Sequence, residues 1–150
     1  GVVAIAGVGL TVAETCVPSR PVHIVHSHST RDSTFLYVGG RVTLTPEPMP
    51  MDYPPVEGPG GLLDRSIVQN GCTGPAVLVQ PDAYDFDSRS PGAVNDTDLW
   101  QATGCPPDGA VDFWRSTRYV HSIHTTPEFG AVVWDWIATH PRVRPKSLDF

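Results

Sequence analysis

Val22-His23-Ile24-Val25-His26-Ser27-His28-Ser29-Thr30-Arg31-Asp32-Ser33-Thr34-Phe35-Leu36-Tyr37-Val38-Gly39-Gly40 is the stretch on which the fold turns. It begins, after Pro21, as a short β-branched apolar run of the kind found in buried parallel strands. It then becomes polar at His26 and delivers a carboxylate, Asp32, into the following loop. In an open α/β sheet, ligands and reacting groups lie just beyond the carboxyl ends of the strands, so an acid a few residues past this run is well placed.

Upstream, Val2-Val3-Ala4-Ile5-Ala6-Gly7 is a continuous apolar run, consistent with a strand buried on both faces, and Cys16 to Pro21 connects it to the Val22 strand. The chain opens inside that first strand, and a preceding segment is expected to complete the sheet. Downstream, Val42 to Gly60 is rich in Pro, Met and Gly, with six prolines between Pro46 and Pro59. It is expected to support no helix and is long enough to overhang a site.

Gly61 to Asn70 reads as a helix with Leu63, Ile67 and Asn70 on one face, stopped by Asn70-Gly71. Ala76-Val77-Leu78-Val79 reads as a short strand and Pro81 to Thr97 as a surface excursion carrying the sequon Asn95-Asp96-Thr97. Ala110 to Thr117 alternates in part, as a strand near a sheet edge does, and runs into a loop at Arg118-Tyr119-Val120-His121.

Thr126 as N-cap, Pro127 at the first helical position and Glu128 in the first turn start a second helix, which runs to Thr139. Phe129, Val132, Val133, Trp136 and Ile137 share its apolar face. The Trp134/Trp136 pair is read as core, with Trp136 inward. Strands alternating with helices make an α/β fold, about half of a doubly wound sheet.

The 150 residues make one domain able to bury a core, and 40% hydrophobic with 17% charged residues is a globular composition. A net charge of -6, with Lys146 the single lysine and no basic cluster, argues against nucleic-acid and membrane-surface partners. The longest apolar run, Val2 to Val12, is too short to span a membrane and has no basic region before it. Cys16, Cys72 and Cys105 lack paired C-x-x-C spacing, so an exported chain would hold one disulfide and one leftover cysteine.

Two strands thus each release a titratable group into a loop, Asp32 from one and His121 from the other. A carboxylate orienting an imidazole that acts as general base is two-thirds of a nucleophilic triad, and the order Asp before His is that of the α/β hydrolases. Read by themselves, Asp32 is a loop carboxylate capping a turn and His121 a solvent-facing histidine.

The wording of the chain adds to this. Arg20-Pro21-Val22 through His28-Ser29-Thr30-Arg31-Asp32 to Tyr37-Val38-Gly39-Gly40 resembles the segment R-P-V-P-V-L-x-x-H-G-T-x-D-x-x-V-P-Y-x-G-G. That segment belongs to the secreted α/β-hydrolase esterases that group polyhydroxybutyrate depolymerases with feruloyl and acetylxylan esterases. Asn70-Gly71-Cys72 is similar to the family's N-G-C. Gly104-Cys105 and Asp108-Gly109-Ala110-Val111 continue the resemblance, and Trp134-Asp135-Trp136-Ile137 with His140-Pro141-Arg142 is similar to its closing W-x-F-F-x-x-H-P-R.

The resemblance implies a single domain over residues 1–150, the C-terminal half of an α/β-hydrolase with a doubly wound, mostly parallel sheet and flanking helices. It implies Asp32 as triad acid, His121 as triad base and a Cys72–Cys105 disulfide; Tyr37 and the Pro-rich loop Val42 to Gly60 are separately expected as walls of the substrate site. It also implies an ester substrate, small or polymeric, a secreted or periplasmic location and no cofactor.

This chain departs from the pattern with Ser29-Thr30 before the acid and Tyr119-Val120 before the base, where the family has Gly-Thr and Gly-Gly. It contains no Gly-x-Ser-x-Gly elbow. The nucleophile is therefore expected from outside the chain, with a complementary N-terminal half or a second copy as partner. A non-catalytic half that only associates is the alternative. A metal-dependent hydrolase using His26, His28, His121, His124 and Asp32 is a further one.

Overall fold

The computed structural model describes residues 1–7, 9–10, 18–40, 56–89, 95–122 and 124–142. In chain order its elements are β1 (Val2–Ile5), β2 (Gly9–Leu10), β3 (Ile24–Ser29), β4 (Val56–Glu57), α1 (Pro59–Gln69), β5 (Ala76–Tyr84), β6 (Thr97–Ala102), β7 (Val111–Ser116) and α2 (Pro127–Thr139). Cys16 and most of the Pro-rich loop lie outside the described residues.

The main sheet has five strands in the order β1-β3-β7-β6-β5, and β2 pairs with β4 in a separate antiparallel ribbon. This is an α/β fold, but the sheet is mixed rather than mostly parallel. The pairs β1–β3 and β3–β7 are parallel, whereas β7–β6 and β6–β5 are antiparallel. Parallel neighbours need a long crossover, and the connection from β3 to β7 contains α1, which lies against both strands.

The strand expected near an edge, β7, is interior, paired on both sides. Its charged residues misled the pattern because Asp112 and Arg115 each find a partner at long range. The Asp112 carboxylate is buried and accepts from the Trp136 indole at 2.6 Å and the Gln101 amide at 3.3 Å. Burial pushes this carboxyl up, against the pull of those two hydrogen bonds. Arg115 pairs with Asp98 at 2.6 Å and lies over the Trp100 ring at 5.2 Å.

The edges are instead β1 and β5, and β5 runs through Pro81 to Tyr84 where a surface excursion was expected. An edge strand tolerates a residue with no N–H to donate. The pairing slips between Leu78 and Gln80 and again before Tyr84, and Asp82 takes a positive φ of 47° with its amide bonded to Asp98 at 3.0 Å.

On one face, Val25, Phe86, Trp114 and Trp136 form the buried core, with Phe129, Val132 and Val133 of α2 packed against it. The helix starts where expected, with the Thr126 hydroxyl accepting from the Phe129 amide and Pro127 following. Trp136 is 6% exposed but Trp134 is 72% exposed, so of the two tryptophans only Trp136 is core. Two residues apart on a helix they point about 200° apart, and one sheet cannot cover both.

The first helix starts at Pro59, two residues before the expected position. A proline at the opening position costs nothing, because the first amides of a helix have no intrahelical acceptor. At its other end Gly71 (φ 70°) donates to Val68 and Cys72 to Ile67, the double bond of a Schellman stop. The buried Asn70 side chain accepts from the Val22 amide at 3.0 Å and donates to the Val22 carbonyl at 2.8 Å, which ties the end of α1 to the start of β3.

Directly after the stop, Cys72 is bonded to Cys105, 33 residues on. Backbone bonds Thr73 to Gly104 and Gly74 to Thr103 flank the bridge. The approach requires glycine, since a Cβ at Gly74 would collide with the Thr103 hydroxyl and one at Gly104 with that of Thr73. In the chain-entropy account a loop of this length is worth ~3–4 kcal/mol. The Cys72→Ser/Cys105→Ser double variant should lose about that much in urea unfolding at neutral pH; unchanged stability would show that the bridge does not restrain the unfolded chain.

Candidate functional site

Parallel pairing of β3 with β7 ends at Ser29↔Ser116, so the chain leaves both strands at the same end of the sheet. Asp32 lies three residues beyond one strand and His121 five beyond the other. Their side chains meet, with His121 Nδ1 3.0 Å from Asp32 Oδ2.

Asp32 is buried, and its two oxygens have different partners. Oδ1 accepts from the amides of Thr34 at 2.8 Å and Phe35 at 2.9 Å. That is the turn-capping arrangement of a loop aspartate, here occupying one oxygen only. Oδ2 faces His121 and lies 3.5 Å from Nε2 of the fully buried His28. Because a carboxylate only accepts, His121 Nδ1 carries the hydrogen and Nε2 is the basic atom of the neutral ring. The His121 side chain is 35% exposed, and the Phe35 ring packs edge-on against it at 4.9 Å.

The loop carrying His121 is held along its length. Thr117 N donates to the Asp96 carbonyl at 3.0 Å at its start, while Ser88 N and the Ser88 hydroxyl both donate to the His124 carbonyl at 2.7 Å at its end. Asp96, itself buried, accepts from the amides of Phe86 and Asp87 and from the Thr97 hydroxyl. It thereby fixes the segment against which the loop closes.

Between these anchors the fully buried Tyr119 places its hydroxyl 2.8 Å from Ser27 Oγ of β3. Burial pushes the phenol up, outweighing the Ser27 bond, so it stays protonated at physiological pH. With Tyr119 packed two residues before His121, Asp32 and His121 approach to 3.0 Å. Asp96 enters the sequence reading only inside the sequon and Tyr119 only as a departure before the base, and neither is read there as a tie, since a long-range hydroxyl or carboxylate bond leaves no local pattern.

Tyr37 does not touch Asp32 or His121 through any described hydrogen bond. Its half-buried ring lies 6.2 Å from His28 and 6.4 Å from Phe113, one ring removed from the carboxylate. Burial pushes its hydroxyl up, opposed by the nearby Arg115. The Gly58 backbone approaches this segment so closely that a Cβ there would collide with the Tyr37 carbonyl and lie 2.7 Å from the Gly39 amide nitrogen.

The histidines of the metal alternative are not gathered as ligands. Among the described residues no group of three or more His, Cys, Asp or Glu side chains is arranged to hold a metal ion. His26 instead stacks on Phe113 at 5.8 Å, with Nε2 3.4 Å from His28 Nδ1. A cavity of about 250 Å³ lies at the opposite end of the sheet, lined by Arg20, Val22, His23, Asp108 and Arg142, and involves neither Asp32 nor His121. No helix among the described residues is long and apolar enough to cross a membrane.

Burial, with His28 beside it, lowers the His26 imidazole from 6.5 to about 3. Between those values the unfolded chain binds a proton that the folded chain refuses, so stability falls as pH falls, by about 1.4 kcal/mol per pH unit. In urea unfolding between pH 6 and 4.5, His26→Phe should flatten the dependence of stability on pH by up to that amount. Equal slopes in the two proteins would mean that His26 does not stay neutral. No family model, curated protein or solved structure matches this chain.

Proposed function

We propose that this chain is the acid–base half of a serine-dependent carboxylic ester hydrolase of the α/β-hydrolase class. Asp32 serves as the acid and His121 as the base of a triad whose serine lies outside these 150 residues. The observation that carries the reading is the 3.0 Å contact of His121 Nδ1 with a buried carboxylate whose other oxygen is held by two amides. It sits at the carboxyl ends of adjacent parallel strands, where such folds carry their chemistry.

In the reaction His121 Nε2 takes the proton of the serine hydroxyl as its oxygen attacks the ester carbonyl. Asp32 holds the tautomer and stabilises the imidazolium that forms. The imidazolium then protonates the departing alkoxide, leaving an acyl-serine. A water, deprotonated by the same nitrogen, attacks the acyl carbon, and the proton returns to the serine as the carboxylic acid leaves. No cofactor is needed.

The resemblance supports a polyester such as polyhydroxyalkanoate or an aromatic polyester, or a feruloyl or acetyl ester, as substrate. Tyr37 serves as a wall element. The disulfide supports a secreted or periplasmic setting. The missing serine comes from a complementary N-terminal half. Association without catalysis is the second reading, favoured by β1, which pairs with β3 alone among the described strands and exposes Val2 and Ile5.

The purified chain should neither hydrolyse a p-nitrophenyl ester nor gain mass from a fluorophosphonate. An adduct on one of its own serines would overturn the external nucleophile. In the assembly that contains the serine and turns over the ester, Asp32→Asn and His121→Ala should each lower kcat by ~10²–10⁴-fold. Variants that keep wild-type turnover would overturn the acid–base assignment and leave association alone.

A further inference from the structure

His28 belongs to the strand before the acid, is fully buried, and has both ring nitrogens engaged. Its Nε2 lies 2.9 Å from the Phe35 carbonyl and 3.5 Å from Asp32 Oδ2. Both partners only accept, so Nε2 carries the hydrogen. Nδ1 is then an acceptor, and the group facing it at 3.4 Å is His26 Nε2, which donates. The neutral His26 ring leaves Nδ1 bare, and that atom is buried without a partner.

Phe35 is where these contacts converge. Its amide binds Asp32 Oδ1, its carbonyl receives His28 Nε2–H, and its ring packs on His121. The turn from Asp32 to Phe35 is therefore closed twice, by the carboxylate from inside and by the imidazole from the strand. Without the second closure the carboxylate could rotate and exchange its oxygens. With it, Oδ1 remains on the amides and Oδ2 remains turned to His121.

We propose that His28 is a positioning residue for the Asp32–His121 pair, acting through the Phe35 carbonyl and Asp32 Oδ2 from a fixed Nε2–H tautomer, with His26 as the donor that fixes it. The inference rests on the pairing of Asp32 with His121 and extends the reading of that site.

The test is ¹⁵N and ¹H NMR of the histidine rings in the 150-residue chain near neutral pH. Wild-type His28 should appear as the Nε2–H tautomer and His121 as the Nδ1–H tautomer with a low-field Nδ1 proton. A bare Nε2 on His28 would overturn the proposal with no substitution made. His28→Leu should remove the low-field His121 proton and leave a mixture of tautomers, while His28→Gln, whose amide can reach the same acceptors, should restore it.

Asp32→Asn separates the two readings. If it leaves the His121 signals unchanged, the underlying pair is wrong. If it changes them and a folded His28→Leu does not, the pair stands and His28 has no positioning role. If His28→Leu does not fold, loss of the low-field proton in a folded His28→Gln chain overturns the proposal.

Discussion

The parallel pairing of β3 with β7, in register from Ile24↔Val111 to Ser29↔Ser116, is the constraint on which the remainder of the structure depends. Two strands that run side by side in the same direction release their chains at the same edge of the sheet. Residues 89 apart in sequence, Asp32 and His121, are there brought into hydrogen-bond contact. Two parallel strands cannot be joined by a tight turn, so the chain between them has to travel. It uses that path to build α1 and the antiparallel β5–β6 pair.

Several of the polar side chains that the fold buries act as ties between elements. Asp112 holds Trp136 and with it α2, Asn70 holds Val22 and with it the end of α1, and Asp96 holds the 86–87 amides and with them the loop of His121. A buried carboxylate or amide is costly when left unpaired, so each tie penalises alternative packings as well as joining elements. Asp32 follows the same rule with one oxygen and departs from it with the other, which faces the half-exposed imidazole. That asymmetry distinguishes a turn-capping aspartate from one able to orient a base.

Local chemistry made several features readable in advance. Thr126, Pro127 and Glu128 announce a helix start, Asn70-Gly71 announces a helix stop, and the apolar runs at Val2 and Val22 announce strands, because capping geometry and burial periodicity act over a few residues. The strand β6 was not read, since Thr97 and Asp98 look like loop residues until the Asp96 carboxylate and Arg115 are seen beside them. The interior place of β7 was missed for the same reason. Tyr119 and His28, which hold the two loops of the site, carry no local signal either, because their partners lie 92 residues away in one case and on a folded-back turn in the other.

By itself the sequence determined the α/β class, the two helices with the start of α2 and the stop of α1, and the two loops that carry Asp32 and His121, since these follow from propensities and patterns within a window of about ten residues. The tertiary structure alone decided the mixed strand order, the exposure of Trp134, and which oxygen of Asp32 meets His121. Those depend on which strands become neighbours and on how buried polar groups share their hydrogen bonds, and both are properties of the closed sheet rather than of any one segment.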